Sequence, residues 1–292
     1  MSVDVRRFAA GDEAPLRAIY NRQVAPVPGF SAAEAPTLWT QSAQGDRSRV
    51  AVRGGEVVGA VGTVLAPPWL YIWPLVALDD EAAAALLDVA LASWTPDVTR
   101  ARIGIRPGEE PKRRAVIARG FAPSIQFHEL AHDLRRGAAA PTASGFVCHT
   151  GGAIDREAAR ALHNLTFAGI DSTAPLDVAD FALMLDGPAA WPDATAVWAG
   201  PDGALAGFVI GLRGEDERGR FGVLEAIGVA PGARRRGLAA AMTEWLLERG
   251  RAAGVIEVRS GIVSTNPASL ALHRAAGFVE TGRKQLYDLT AL

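Results

Sequence analysis

The chain of 292 residues holds one cysteine, Cys148. An intramolecular disulfide is therefore excluded, and a reducing, cytoplasmic setting is the expectation. Lysine is nearly missing too: Lys112 and Lys284 are the only two among 30 basic residues, the rest being arginine. Neither sign of charge is in excess. The net charge of −2 gives no bulk attraction to nucleic acid or to an anionic membrane, so any basic site must be local. No apolar run reaches the roughly 18 residues of a membrane span, and the opening MSVDVRRFAAGDEA has no apolar signal-peptide core. Neither G-x-x-x-x-G-K-[ST] nor G-x-G-x-x-G occurs at a phosphate-binding position. What the chain does have is 49% hydrophobic residues, enough to fill two cores of about 140 residues each.

The sequence is written twice. Small and breaker-rich, the stretch RRGAAAPTAS (Arg135–Ser144) reads as a linker. On either side of it, RAIYN (Arg17–Asn21) answers RALHN (Arg160–Asn164), AAALLDVAL (Ala83–Leu91) answers AAAMTEWLL (Ala239–Leu247), and RGF (Arg119–Phe121) answers AGF (Ala276–Phe278). Three matches in one order, at so long a period, indicate a duplicated domain and not a solenoid. Each half reads as strand, two helices, a strand meander, helix, strand, helix and closing strands. In the second half, Asp155 caps a helix, PDG turns a hairpin, RRRGLAAAMTEWLLERGRAAG forms a helix stopped at Gly254, and Asn266-Pro267 opens another. The expectation is an α+β (mixed α/β) fold of two tandem domains, 1–137 and 143–292. Each would be a mostly antiparallel mixed sheet flanked by helices.

One loop stands out. After the strand VLEAIGV, the turn APGA leads to Arg234, Arg235, Arg236 and Gly237. Cations at a helix start oppose the macrodipole, so a ligand anion would explain them better than the fold does. Amides at a helix N-terminus form an anion site, Gly237 permits close approach, and the arginines add charge-assisted donors. The matching stretch of the first half is three residues shorter. It carries Asp79, Asp80 and Glu81, which suit a helix start without a ligand and would repel a phosphate.

V-x-P-x-x-R-x-x-G-x-A (Val229, Pro231, Arg234, Gly237, Ala239), followed by N-x-x-S-x-x-x-H-x-x-x-G-F (Asn266, Ser269, His273, Gly277, Phe278), resembles the GNAT superfamily of N-acyltransferases. The resemblance covers Phe146–Leu292, with Val3–Leu134 as a degenerate copy that has Glu109 and Val116 in place of Asn266 and His273. It implies acetyl-CoA as co-substrate, no metal, and direct attack of a primary amine on the thioester in a ternary complex. It also implies that the pyrophosphate meets Arg234, Arg235, Arg236 and the Gly237-Leu238-Ala239 helix start. Pantetheine would then pair with the strand at Ile227 and Val229, and Asn266 and Ser269 would touch the pantetheine or phosphate arm.

Glu225, four residues before Val229 and so on the same strand face by a period of two, is the candidate base. Its neighbours are apolar, which would raise its pKa. A structural ion pair is the alternative. His273 stands where this family usually has a tyrosine acid; an imidazole could serve, or the ring could simply pack on the sheet. Asn266 is also a good helix cap. For the acceptor, the resemblance points to the segment with Phe167 and Asp171 and to Tyr287, while Trp191 and Trp198 read as core. The best reading is an N-acetyltransferase for a small-molecule amine. An acyl-CoA-binding sensor or scaffold without turnover is the alternative, and a nucleic-acid module is disfavoured by the absence of a basic stripe.

Overall fold

The computed structural model describes residues 2–24, 47–135, 145–170, 173, 175–216 and 218–290. The linker residues 136–144 and Asp171 lie outside these. Two compact units result, and both are assembled from distant stretches: Met1–Phe127 with Gly282–Leu292, and His128–Thr281.

The first unit contains β1 (Asp4–Arg7), α1 (Glu13–Val24), β2 (Arg49–Arg53), β3 (Glu56–Ala66), β4 (Trp69–Ala77), α2 (Asp80–Leu91), β5 (Arg100–Ile105), α3 (Glu110–Ala118) and the start of β6 (Ala122–Asp133). Strands β1 to β4 pair antiparallel in chain order, β5 joins β4 in parallel after α2, and the chain's last residues pair antiparallel with β5. Ala83, Leu86 and Leu87 of α2 pack on Leu70, Ile72 and Ile103. Leu16 and Ile19 of α1 cover Val50, Ala60 and Val76 on the opposite face. The sheet alternation thus buries both faces, each under a helix stripe of period 3.6.

The second unit repeats the plan. It contains β7 (Val147–Thr150), α4 (Arg156–Phe167), α5 (Val178–Asp186), β8 (Ala196–Ala199), β9 (Leu205–Asp216), β10 (Gly219–Val229), α6 (Leu238–Ala252), β11 (Glu257–Val263), α7 (Pro267–Ala275) and the start of β12 (Val279–Thr290). Strands β7 to β10 pair antiparallel in order and β11 joins β10 in parallel. Leu238, Met242 and Leu246 of α6 face Leu224 and Val258, while Leu162 of α4 and Phe181 of α5 face Val197, Phe208 and Ala226. Arg17 and Arg160 are each the fifth residue of their helix, which places the repeated RAIYN and RALHN motifs in equivalent positions. Gly120 and Gly277 end α3 and α7 alike, both at positive φ.

The halves read from sequence are contiguous, whereas the compact units are not. Leu130 of β6 and Leu134, the residue after that strand, join the second unit's core, and Tyr287 of β12 is buried in the first unit's. Tyr287 therefore does not line an amine pocket in the second domain. Trp191 and Trp198 are core residues, at 3% and 7% exposure.

Candidate functional site: an open strand edge and an uncapped helix

Strand β10 keeps its parallel partner only from Phe221 to Leu224, opposite Glu257 to Ser260. Ser260 Oγ donates to the Leu224 carbonyl at 3.1 Å where the pairing ends. Beyond this point β10 remains bonded to β9 on its other side. The Ala230 amide donates to the Ala206 carbonyl at 2.9 Å, which fixes the sense of the ladder. In an antiparallel ladder every second residue turns its N–H and C=O away from the partner strand. Ile227 and Val229 consequently present their backbone groups to the edge that β11 has left. Gly228 lies between them, and a Cβ there would run into Phe208 and Thr166 Oγ1. Helix α4 thus packs directly over the open stretch.

The β9–β10 register slips between Leu224 and Ala226, making Glu225 a bulged residue. The bulge overturns the same-face argument made from sequence. Leu224, Ile227 and Val229 pack toward α6 while Ala226 packs toward α4 and α5, so counting by twos fails across Glu225. Its side chain is exposed, not enclosed by the apolar residues beside it. It stands where the two parallel strands separate.

After β10 comes a single 3₁₀ turn, Pro231–Ala233, and then the arginines. They precede α6, which begins at Leu238, whereas the sequence reading started that helix at Arg234. Arg235 (φ 64°) and Gly237 (φ 77°) are both left-handed, a geometry that turns successive amides inward as an anion nest. Gly237 is the N-cap and supplies no side-chain acceptor. Helices α2, α4, α5 and α7 have such acceptors in Asp79, Asp155, Asp177 and Asn266. The first turn of α6 is thus left with unsatisfied N–H groups and the positive end of its dipole. Leu238 is 1% exposed and anchors the turn in the core, so only its amide is offered; Ala239 is small and half-buried. Arg234, Arg235 and Arg236 are exposed, and among the described residues none is ion-paired. Arg234 Nε donates to the Val229 carbonyl at 3.1 Å, and Arg236 lies over the Phe146 ring at 4.6 Å. Sequence reasoning missed Phe146 because it precedes the loop by ninety residues.

Helix α7 starts at the same end of the parallel strands. Asn266 caps it by accepting from the Ser269 amide at 3.1 Å, leaving its amide nitrogen available; both residues are half-exposed. His273 is different. It is 1% exposed, Nδ1 meets the Ser269 carbonyl at 2.8 Å, and the ring stands edge-on to Phe278. A carbonyl can only accept, so Nδ1 holds the proton and neutral Nε2 has none to give. Burial also holds the pKa below the ordinary histidine value, opposed by the bond to Ser269. In the first unit Val116 fills the corresponding place, also fully buried. Burial and the bond to Ser269 favour the packing reading of His273 over the general-acid one.

His132 and His163 are likewise buried, and burial lowers the pKa of each. A histidine held neutral in the fold but free to charge when unfolded makes the unfolded state bind more protons below about pH 6.5. Stability should therefore be full above that value and fall as the pH drops toward the folded-state pKa values. The slope reaches about 1.4 kcal/mol per pH unit for each histidine in that window. Urea unfolding at pH 7.5, 6.5 and 5.5 tests this, and His273→Val should flatten the slope by about one histidine's share.

The equivalent place in the first unit is filled from within. Asp79 caps α2 through the Ala82 amide at 3.0 Å and binds Arg53 at 2.7 Å, and Arg114 binds Asp80 at 2.7 Å. Arg53 holds the Asp79 carboxyl below its ordinary pKa. Glu109, at the N-cap position held by Asn266 in the second unit, is 3% exposed and pairs with buried Lys112 at 3.2 Å. A carboxylate already occupies each place where a phosphate or amide would have to bind. Calorimetry is expected to give one acetyl-CoA per chain; two equivalent sites would contradict this account of the first unit.

Residues 157–278 match the acetyltransferase (GNAT) family. Over 121 residues the chain is 32% identical to an aminoglycoside N(6')-acetyltransferase type 1 of Klebsiella aerogenes, spanning 40% of this chain and 80% of that protein. The chain belongs to the GNAT family of acetyltransferases. Two solved structures share its fold along nearly the whole length. One is a GCN5-related N-acetyltransferase from Sphaerobacter thermophilus (TM-score 0.76, 18% identity, 99% of this chain and 95% of that one). The other is a tandem GNAT protein from the clavulanic acid biosynthesis pathway (TM-score 0.74, 17% identity, 100% and 99%). The tandem reading is thus shared by a structure of that description, while the family match falls only in the second half. Among the described residues no helix is long and apolar enough to cross a membrane, and no group of His, Cys, Asp or Glu is placed to hold a metal ion.

Proposed function

We propose that the second unit transfers an acetyl group from acetyl-CoA to a primary amine of a small molecule, by direct attack in a ternary complex. The observation that supports this most is the pairing of an open strand edge at Ile227 and Val229 with an uncapped helix start at Leu238, a few residues further along the chain. An extended amide-bearing arm ending in a diphosphate fits that pair. Acetyl-CoA supplies an activated acyl group as its thioester.

The chain's own residues divide the remaining work. The Ile227 amide, free at the edge, donates to the acyl carbonyl oxygen as negative charge builds on it. Val229 pairs with the pantetheine amides. Nest amides from Arg235 to Ala239 take the diphosphate, with the charge of Arg234 and Arg235 around them, and Asn266 Nδ2 and Ser269 Oγ stand beside the arm. Glu225 takes the amine's proton, directly or through a water. An acyl-enzyme route has no support. Cys148 lies on β7, with β8 and β9 between it and β10, roughly 14 Å away at the usual strand spacing. Desolvation also raises its thiol pKa.

The relative from K. aerogenes acts on an aminoglycoside, so amino sugars head the acceptors to try. Free-thiol release from acetyl-CoA across a library of amines tests the reading. Acceptor-dependent release supports it. Tight coenzyme A binding with no release from any amine would instead favour an acyl-CoA sensor.

A further inference from the structure

The loop arginines are held on opposite sides of the helix start. Arg234 turns back to the end of β10, where its Nε donates to Val229, beside the opening toward β11. Arg236 goes the other way. Its guanidinium covers Phe146, the residue directly before β7, and β7 is reached from β10 only by crossing β9 and β8. Phe146 is itself half-buried against the core under α6. A guanidinium stacked on a ring gives up its face but keeps its N–H edge for a ligand. Its rotamer freedom is already reduced before anything binds, which lowers the cost of binding.

We propose that Arg236, steadied by Phe146, is the subsite for the third phosphate of coenzyme A, the monoester on its ribose. Phe146 is then the positioning residue behind a preference for coenzyme A over its dephospho form. This rests on the coenzyme A reading above. The diphosphate occupies the amide nest at the opening, with Arg234 on that side. The nucleotide end must leave the cleft past the helix start, on the side where Arg236 is anchored. A phosphate monoester carries between one and two negative charges near neutral pH, more than either phosphate of the diphosphate, and gains most from a preset fork of donors.

Coenzyme A and 3′-dephospho-coenzyme A are titrated calorimetrically into the full chain and its variants. The unaltered chain should prefer coenzyme A by about tenfold or more, the usual range for one charge-assisted contact. Arg236→Ala should abolish that preference while leaving dephospho-coenzyme A binding nearly unchanged. Phe146→Leu should cut it by about two- to fivefold, the range of an exposed cation–π contact, and Phe146→Tyr should restore it. Arg234→Ala should weaken both nucleotides alike. Equal loss of both nucleotides in Arg236→Ala, or a full preference in Phe146→Leu, overturns the subsite. If the unaltered chain binds neither nucleotide, the coenzyme A reading itself is wrong. Should Phe146→Leu fail to fold, the exposed Arg236→Ala still decides.

Discussion

Glu225→Gln is expected to lower kcat by about 10²–10⁴-fold, the usual worth of general acid–base catalysis, with the acetyl-CoA dissociation constant unchanged. Glutamine keeps the shape and most of the hydrogen bonding of glutamate but cannot accept the amine's proton. The position argues for this role in two ways. Glu225 is the bulged residue at the point where β10 and β11 part, and bulges re-aim side chains beside active sites. In the first unit, whose cofactor place is closed, the corresponding irregularity of β3 and β4 falls at Trp73 and Pro74, and no carboxylate is present. His273→Val supplies the contrast. With its proton bound to Ser269 and its ring in the core, it should leave kcat within about threefold, below the usual worth of acid catalysis. A Glu225→Gln enzyme within threefold of normal turnover would remove Glu225 from the mechanism.

Reversing two charges, Arg234→Glu with Arg236→Glu, should weaken acetyl-CoA by about 10²–10⁴-fold, on the basis of two lost charge-assisted contacts. Acetyl-pantetheine, which has no phosphate, should be affected less than about threefold. The fold should tolerate the change. Acids at a helix N-terminus favour the macrodipole, and α2 of the first unit already begins with Asp79, Asp80 and Glu81. An unchanged melting temperature would therefore accompany the loss of affinity. Equal weakening of acetyl-pantetheine would mean that the arginines hold the loop in shape and not the phosphates.

These expectations follow from what the sequence made legible and from what it concealed. The duplication, the order of elements in the second half, the caps at Asp155 and Asn266 and the stop at Gly254 all depend on neighbours in the chain, and local pattern was enough to find them; the second helix expected in the first half lies outside the described residues. The arginine loop was visible for the same reason. Strand partners were not: nothing in APSIQFHELAHD or RKQLYDL tells that each strand is divided between two compact units, so Tyr287 reads as part of an amine pocket when it lies in the first unit's core. The bulge at Glu225 was hidden because VLEAIGV reads as a regular alternation, and only the ladder to β9 reveals the extra residue. His273 suited either role by spacing. Its burial beside Phe278 favours packing, and that is a tertiary fact.

In the proposed complex, coenzyme A lies along the β10 edge and on the uncapped start of α6. Amide hydrogen exchange with and without saturating acetyl-CoA tests it most directly. Protection is expected at Ile227, Val229 and the amides from Arg235 to Ala240, with residues 77–83 of the first unit unchanged. Exchange at those second-unit amides that is indifferent to the ligand, or protection confined to the first unit, would contradict the account.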